Sequence, residues 1–164
     1  MSIKPFFYQS KHRAAFLANM AIRLRDSISD DAAILLKESN VKTLVTDVSL
    51  ILYLSENDQC SITSIAQALN YSHQRVTSRI STLEKLDLVL RLEGQHDQRQ
   101  KMICLTDNGK SDIKSINKIY KNAAKAIEGV FDEIDVDLMD SLLLAINAIE
   151  NRSLRQRISD LTIN

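Results

Sequence analysis

The chain is poor in the residues that interrupt helices: three glycines and one proline stand among its 164 residues. Glycine and proline weaken or break helices, so their scarcity predicts long uninterrupted ones. The two cysteines, Cys60 and Cys104, are too few for a disulfide framework and form no Cys-x-x-Cys motif. No run of about 18 apolar residues occurs, so no membrane-spanning helix is expected. Residues 1–11 lack the continuous apolar core and small-residue cleavage site of a signal peptide, and the expected location is the cytoplasm. An excess of one charge is missing too: 21 Lys and Arg face 21 Asp and Glu. Any contact with nucleic acid must therefore come from a local basic surface. Walker loop, dinucleotide fingerprint and nucleophile elbow are all absent, so the chain is not expected to be an enzyme.

What is present is an apolar content of 45% and a charged content of 26%, enough for a core in a soluble protein. The length fits one domain with helical extensions. From residue 6 to about 38, Phe16, Leu17, Met20, Ala21, Leu24 and Ile28 recur at helical spacing. Ala32, Ile34, Leu35 and Leu36 extend the pattern after a predicted kink near Asp30 and Asp31, and Asn40 suits the helix end. A second helix is predicted over residues 44–55, where Val45, Val48, Ile51, Leu52 and Leu54 are apolar nearly all round. Near the C-terminus, Thr106 and Asp107 offer caps to a long helix. Its stripe of Ile113, Ile116, Tyr120, Ala123, Ile127, Val130 and Ile134 keeps close to heptad spacing. Asp135 is the predicted N-cap of a last helix, with Ile134 and Met139 as a hydrophobic staple. That helix carries Leu138, Leu142, Ala145, Ile146 and Ile149 and is expected to continue through Leu154 and Ile158. Met20, Met102 and Met139 read as core.

The middle of the chain carries the chemistry. Cys60 fills an apolar slot, and Ser61 suits the N-cap of a short helix with Ile65, Ala66 and Leu69 on one face. Asn70 can take the left-handed conformation that closes a helix, and Ser72 can cap the next one. In that next helix, residues 73–86, Val76, Ile80 and Leu83 face inward. The opposite face carries Gln74, Arg75, Thr77, Ser78, Arg79, Ser81 and Thr82, with no acidic residue between positions 72 and 83. Two helices joined by a short turn, the second with a polar face, form a helix-turn-helix pattern. Two alternating segments, residues 88–92 and 101–105, then predict a β-hairpin with a polar tip. A polar helix face is most often only solvated surface, and a polar tip only a turn. Together, the arginine-bearing acid-free face and the adjoining hairpin point to double-stranded DNA. Arg pairs bidentately with guanine, Gln with adenine, and Ser and Thr commonly reach phosphates.

Other groupings carry less. The segment DEIDVDLMD lacks the central glycine and closing glutamate of a calcium loop. His12, His73 and His96 stand apart from one another and from cysteine, so no metal and no cofactor is expected.

The segment DQRQKMICLTDNGK resembles the wing signature of the MarR family of bacterial winged helix-turn-helix transcriptional regulators. The shared positions are Asp97, Arg99, Leu105 with Thr106, and Gly109. The segment SITSIAQALNYSHQRVTSRISTLEKLDLV is similar to that family's reading head, including Leu83-Glu84-Lys85-Leu86 followed by Leu88-Val89. The motif-bearing part covers residues 61–110. The family often has glycine where Asn70 and Asp87 stand, and both of these tolerate left-handed backbone.

The resemblance implies a mainly α fold with a small β-hairpin wing and N- and C-terminal dimerisation helices. Residues 44–106 would be the DNA-binding domain, and residues 1–43 and 107–164 the dimerisation region. Ser72, His73, Gln74, Arg75, Thr77, Ser78, Arg79 and Thr82 would form the recognition helix's DNA contacts. Gln95, His96, Asp97, Arg99 and Lys101 would form those of the wing. In such a wing Arg99 reaches the minor groove or its phosphates, and Asp97 orients the wing by ion pairing. Phe16, Met20, Ile113, Ile116, Tyr120, Ile127 and Ile146 would meet a second copy. The implied function is a homodimeric, sequence-specific regulator on a palindromic operator, repressing until a small-molecule effector releases it. The alternative is a winged-helix module that binds protein and has no specific DNA affinity. The family's peroxide-sensing branch carries its cysteine in the first helix, where this chain has none, so redox sensing is not expected.

Overall fold

The computed structural model of the protein describes residues 4–93 and 101–162, which fall in two compact units, Met1–Ile119 and Tyr120–Asn164. Helices α1 (Phe6–Gln9), α2 (Leu17–Glu38) and α3 (Val48–Glu56) precede a short strand β1 (Cys60–Ser61). Helices α4 (Ile62–Ala68) and α5 (His73–Lys85) follow, then strands β2 (Val89–Glu93) and β3 (Lys101–Leu105). The chain ends with α6 (Asp107–Ile134), α7 (Leu138–Asn151) and α8 (Leu154–Thr162). Among the described residues no helix is long and apolar enough to cross a membrane.

A chain this poor in glycine has to end its helices by other means, and it uses Asn and Asp. Asn40, Asn70, Asp87 and Asp135 all have positive φ, between 51° and 57°. The residue after each reaches back to close the last turn: Val41 N to Leu36 O, Tyr71 N to Ala66 O, Leu88 N to Leu83 O and Val136 N to Phe131 O. This is the long backward hydrogen bond of the Schellman motif, with Asn or Asp in the place glycine usually takes.

Several helix boundaries differ from expectation. Helix α2 is not broken at Asp30 and Asp31: it continues through both over its 22 residues, and both are exposed, so their carboxylates stay hydrated instead of competing for backbone. The break comes earlier, where Ser10 Oγ accepts from His12 N at 3.1 Å and turns the chain ahead of a 3₁₀ turn, Arg13–Phe16. The second predicted helix begins later than expected, after a 3₁₀ turn, Val45–Asp47. The N-cap of α7 is Asp137, whose carboxylate accepts from Asp140 N at 3.0 Å, and not Asp135, which ends α6. Finally, α7 does not continue through Leu154 and Ile158. Ser153 and Gln156 form a reciprocal capping box that starts α8, and Arg157 donates to Ala148 O and Arg152 O at the end of α7.

In the first unit the sheet order is β1–β3–β2, antiparallel throughout. Ile103 pairs with Cys60 on one side and Arg91 on the other. Leu50, Ile51, Leu54, Ile65, Val76, Ile80, Leu83, Leu88 and Ile103 form the buried core together with Cys60. The start of α6 is fixed to this core with little tolerance. Thr106 Oγ1 accepts from Gly109 N and donates to Asp87 O, and Asn108 donates to the Asp87 carboxylate. A Cβ at Gly109 would lie 2.2 Å from the Leu88 carbonyl oxygen, so only glycine lets α6 approach β2 this closely. One turn later the buried Asp112 carboxylate accepts from Lys42 N and Thr43 N at 2.9 Å and from Thr43 Oγ1 at 2.8 Å. It fastens α6 to the segment joining α2 and α3, and it satisfies buried donors that would otherwise cost about 1–3 kcal/mol each.

In the second unit no described residue is fully buried. Leu142, Leu143, Leu144, Ile146 and Ile149 of α7 and Leu154, Ile158 and Leu161 of α8 are all exposed. Helix α2 resembles it: Leu36 is its one buried residue, while Leu17, Ile22, Leu24, Ile28, Ile34 and Leu35 are exposed. Met20 and Met139, expected in the core, are 37% and 68% exposed, and Met102 is half-buried. Helical periodicity reported that these side chains lie on apolar stripes, but not that the same chain covers them.

Candidate nucleic-acid interface

The helix-turn-helix forms from local bonds. Ser61 Oγ accepts from Ser64 N at 3.0 Å to start α4, and the left-handed Asn70 ends it. Ser72 Oγ then accepts from Arg75 N at 3.2 Å to start α5. The inner face of α5, Val76, Ile80 and Leu83, is completely buried. On the outer face His73, Gln74, Arg75, Thr77, Ser78 and Thr82 are exposed. Thr77 and Thr82 donate their hydroxyls to the carbonyls of His73 and Ser78, which leaves their oxygens available as acceptors. No acidic residue stands in the first turn, so the exposed N–H groups and partial positive charge of the helix start are not neutralised.

The two arginines of α5 lie one turn apart but have different surroundings. Arg75 is exposed, and its guanidinium carbon sits 3.8 Å from the centroid of the Tyr71 ring. Arg79 turns inward. It pairs with Asp47 just before α3 and also donates from Nη1 to Thr46 O at 2.8 Å. The side chains of this pair are 20% and 3% exposed, and Nε of Arg79 is buried without a partner. The sequence reading missed this pair because the acid comes from an element 32 residues away.

The base of the hairpin is held by two further pairs, Lys101 with Glu93 at 3.2 Å and Arg91 with Glu84 at 3.0 Å. Arg91 also donates to Ser81 Oγ, tying β2 to α5. Lys101 is exposed at the start of β3. The other expected wing residues, Gln95, His96, Asp97 and Arg99, lie outside the described residues.

Of the residues expected to meet a second copy, Met20 and Ile146 are exposed, and Phe16, Ile113, Tyr120 and Ile127 are half-buried. Ile116 is a correction: at 0% exposure it belongs to this chain's own core and offers nothing to a partner. Cys60 is buried and Cys104 half-buried. Burial pushes both thiols up, offset only in part by a hydrogen bond involving Tyr53 at Cys60 and by the charge of Lys110 at Cys104. Among the described residues no group of three His, Cys, Asp or Glu comes together to hold a metal ion.

The sequence profile of the MarR family matches residues 43–100. The chain is 27% identical over 145 residues to the HTH-type transcriptional regulator FarR of Neisseria gonorrhoeae, covering 87% of this chain and 95% of FarR. Among solved structures it is similar to the transcriptional repressor CouR bound to a 23-mer DNA duplex, with a TM-score of 0.65 and 20% identity over 92% of this chain and 99% of that one. It is also similar to MepR of S. aureus in its DNA complex, with a TM-score of 0.64 and 17% identity over 84% of this chain and 96% of that one. At these identities the solved structures speak for the fold alone. The profile match spans the helix-turn-helix and first wing strand, where the capped turns and the acid-free α5 face were found, and over these residues the chain is similar to the MarR family.

Proposed function

We propose that the protein is a homodimeric transcription regulator that binds a palindromic double-stranded DNA operator. The observation that carries this reading is the outer face of α5: exposed, free of acid, and presenting Arg75 in its first turn. His73, Gln74, Arg75, Thr77, Ser78 and Thr82 meet the major groove, with Ser72 capping the helix that presents them. Arg79 acts from behind, holding α5 against the start of α3 through Asp47. Gln95, His96, Asp97, Arg99 and Lys101 belong to the wing, with Arg99 at the minor groove or its phosphates. The dimer forms through residues 1–43 and 107–164, and residues 44–106 carry the DNA contacts. The similarity to CouR and MepR, each solved with DNA, supports the same partner here. As a regulator that meets its operator directly, the protein works in the cytoplasm and is not an enzyme.

Repression by exclusion, relieved by a small molecule, is the mode of action we propose. Two clefts of the first unit are large enough for one. The first, about 560 Å³, is lined by Leu36, Val41, Leu44 and Val45. The second, about 500 Å³, is lined by Leu54, Gln59, Cys104 and Lys110. Both fall within the usual range for ligand pockets.

A salt titration separates this reading from a protein-binding module. Affinity for DNA should fall linearly with salt on logarithmic axes, and Arg99→Ala should flatten that slope by roughly 1 while weakening specific and scrambled DNA together. A parent protein with no salt-dependent DNA affinity favours the protein-binding alternative.

Oxidants test the same reading from another side. With both thiols pushed up by burial, neither is a thiolate near pH 7, and thiolates are the reactive form. Peroxide should leave DNA binding intact. A peroxide-dependent release that disappears in Cys60→Ser or Cys104→Ser contradicts this expectation.

A further inference from the structure

Arg75 is long, exposed and without an ion pair among the described residues, yet a base-reading side chain needs a defined position. Ordering a free arginine on DNA costs rotamer entropy, so an arginine already held in place reads bases more sharply. The structure supplies a holder. Tyr71 lies in the turn between α4 and α5, half-buried, with its backbone fixed by the left-handed Asn70 and the bond from Tyr71 N to Ala66 O. The Arg75 guanidinium carbon lies 3.8 Å above its ring centroid, the spacing of a face-to-face stack.

The geometry matters because a guanidinium binds through two different surfaces. Its flat face stacks on aromatic rings, and its rim carries the N–H donors that pair with guanine O6 and N7. A stack on Tyr71 uses the face and leaves the donors free. A carboxylate holder would occupy those donors, as Asp47 does for Arg79. The backbone N–H of Arg75 is also engaged by the cap, Ser72 Oγ, so both ends of the residue are fixed before DNA arrives.

We propose that Tyr71 is a specificity-determining positioning residue, acting through Arg75 by stacking its guanidinium in a base-reading pose. This rests on the reading of Arg75 as a base contact. Tyr71 needs no DNA contact of its own for the effect.

The probe is a duplex selected from random DNA by the parent protein, together with versions in which each base pair of one half-site is replaced. Arg75→Ala identifies the pair that Arg75 reads, as the one whose replacement no longer matters. At that pair Tyr71→Leu should lower discrimination by about 2- to 5-fold, the worth of one exposed cation–π contact. Tyr71→Phe keeps the ring and should keep the discrimination. In the Arg75→Ala background Tyr71→Leu should change nothing further, because a residue acting only through Arg75 loses its effect when Arg75 is gone. Should the leucine variant unfold by circular dichroism, Tyr71→Met retains volume without a ring and serves in its place. The proposal is overturned if the ringless variant discriminates like the parent, if it weakens all sequences equally, or if its effect adds to that of Arg75→Ala. If Arg75→Ala leaves discrimination intact at every pair, the base-contact reading fails first and the proposal falls with it.

Discussion

Ile127→Asp and Ile146→Asp should each convert the protein into a monomer that no longer holds its operator. The expectation follows from how little of the C-terminal unit is covered by its own chain. No described residue from Tyr120 onward is fully buried, and the exposed set on α7 alone includes Leu142, Leu143, Leu144, Ile146 and Ile149. A unit whose described residues are at most half-buried has little of its own to offset the entropy of ordering it. In the proposed dimer a second copy would supply the missing cover at roughly 25 cal/mol per Å² of apolar area removed from water. In a two-fold interface each residue appears twice, so losing about 1.5–3 kcal/mol per isoleucine counts double. A carboxylate introduced into an apolar interface adds a desolvation cost of its own. Sedimentation of parent and variants reads the result directly, and a parent that sediments as a monomer at micromolar concentration contradicts the account.

Arg75→Ala and Arg79→Ala should fail in different ways, although the two arginines are one turn apart. Arg75 is exposed in the first turn of α5, where side chains reach base edges. Its loss should cost about 1–3 kcal/mol of binding to the selected site, relax preference at one base pair, and lower stability only by the stack on Tyr71, about 0.5–1 kcal/mol. Arg79 is tied to Asp47, whose side chain is 3% exposed. Removing it strands a buried carboxylate, which should cost about 3–5 kcal/mol of stability and weaken all DNA binding by loosening α5. Thermal melts beside binding to base-substituted duplexes separate the two. If Arg75→Ala binds and discriminates like the parent, α5 does not read DNA through its first turn.

These contrasts mark where local sequence rules stop. The turns around Asn70, Ser61 and Ser72 were legible because a cap or a left-handed residue acts over one turn, and the one at Asp87 came from the family resemblance. Asp135 and Asp137 show the limit of the same rules: Asp both caps helix starts and tolerates left-handed backbone, and two of them stand two residues apart. Nothing local announces Asp112 holding Lys42 and Thr43, or Asp47 holding Arg79, because those bonds span 32 to 70 residues. Periodicity placed both arginines on the polar face of α5 but could not see the acid that draws one of them inward. The same blindness put Met20 and Met139 in a core, since a stripe's pattern does not say which chain covers it. The wing signature was the most specific motif in the sequence, and Gly109 within it now has a physical reason in the Leu88 carbonyl.

The most direct test of the central claim is selection from a random duplex library with the purified protein, followed by sequencing of the bound DNA and measurement of the mass of the complex. The expected result is an enriched palindrome whose half-sites are centred about one helical turn apart, roughly 10 base pairs, with two chains on each duplex. A library that emerges unenriched, or a lone half-site bound by one chain, contradicts it.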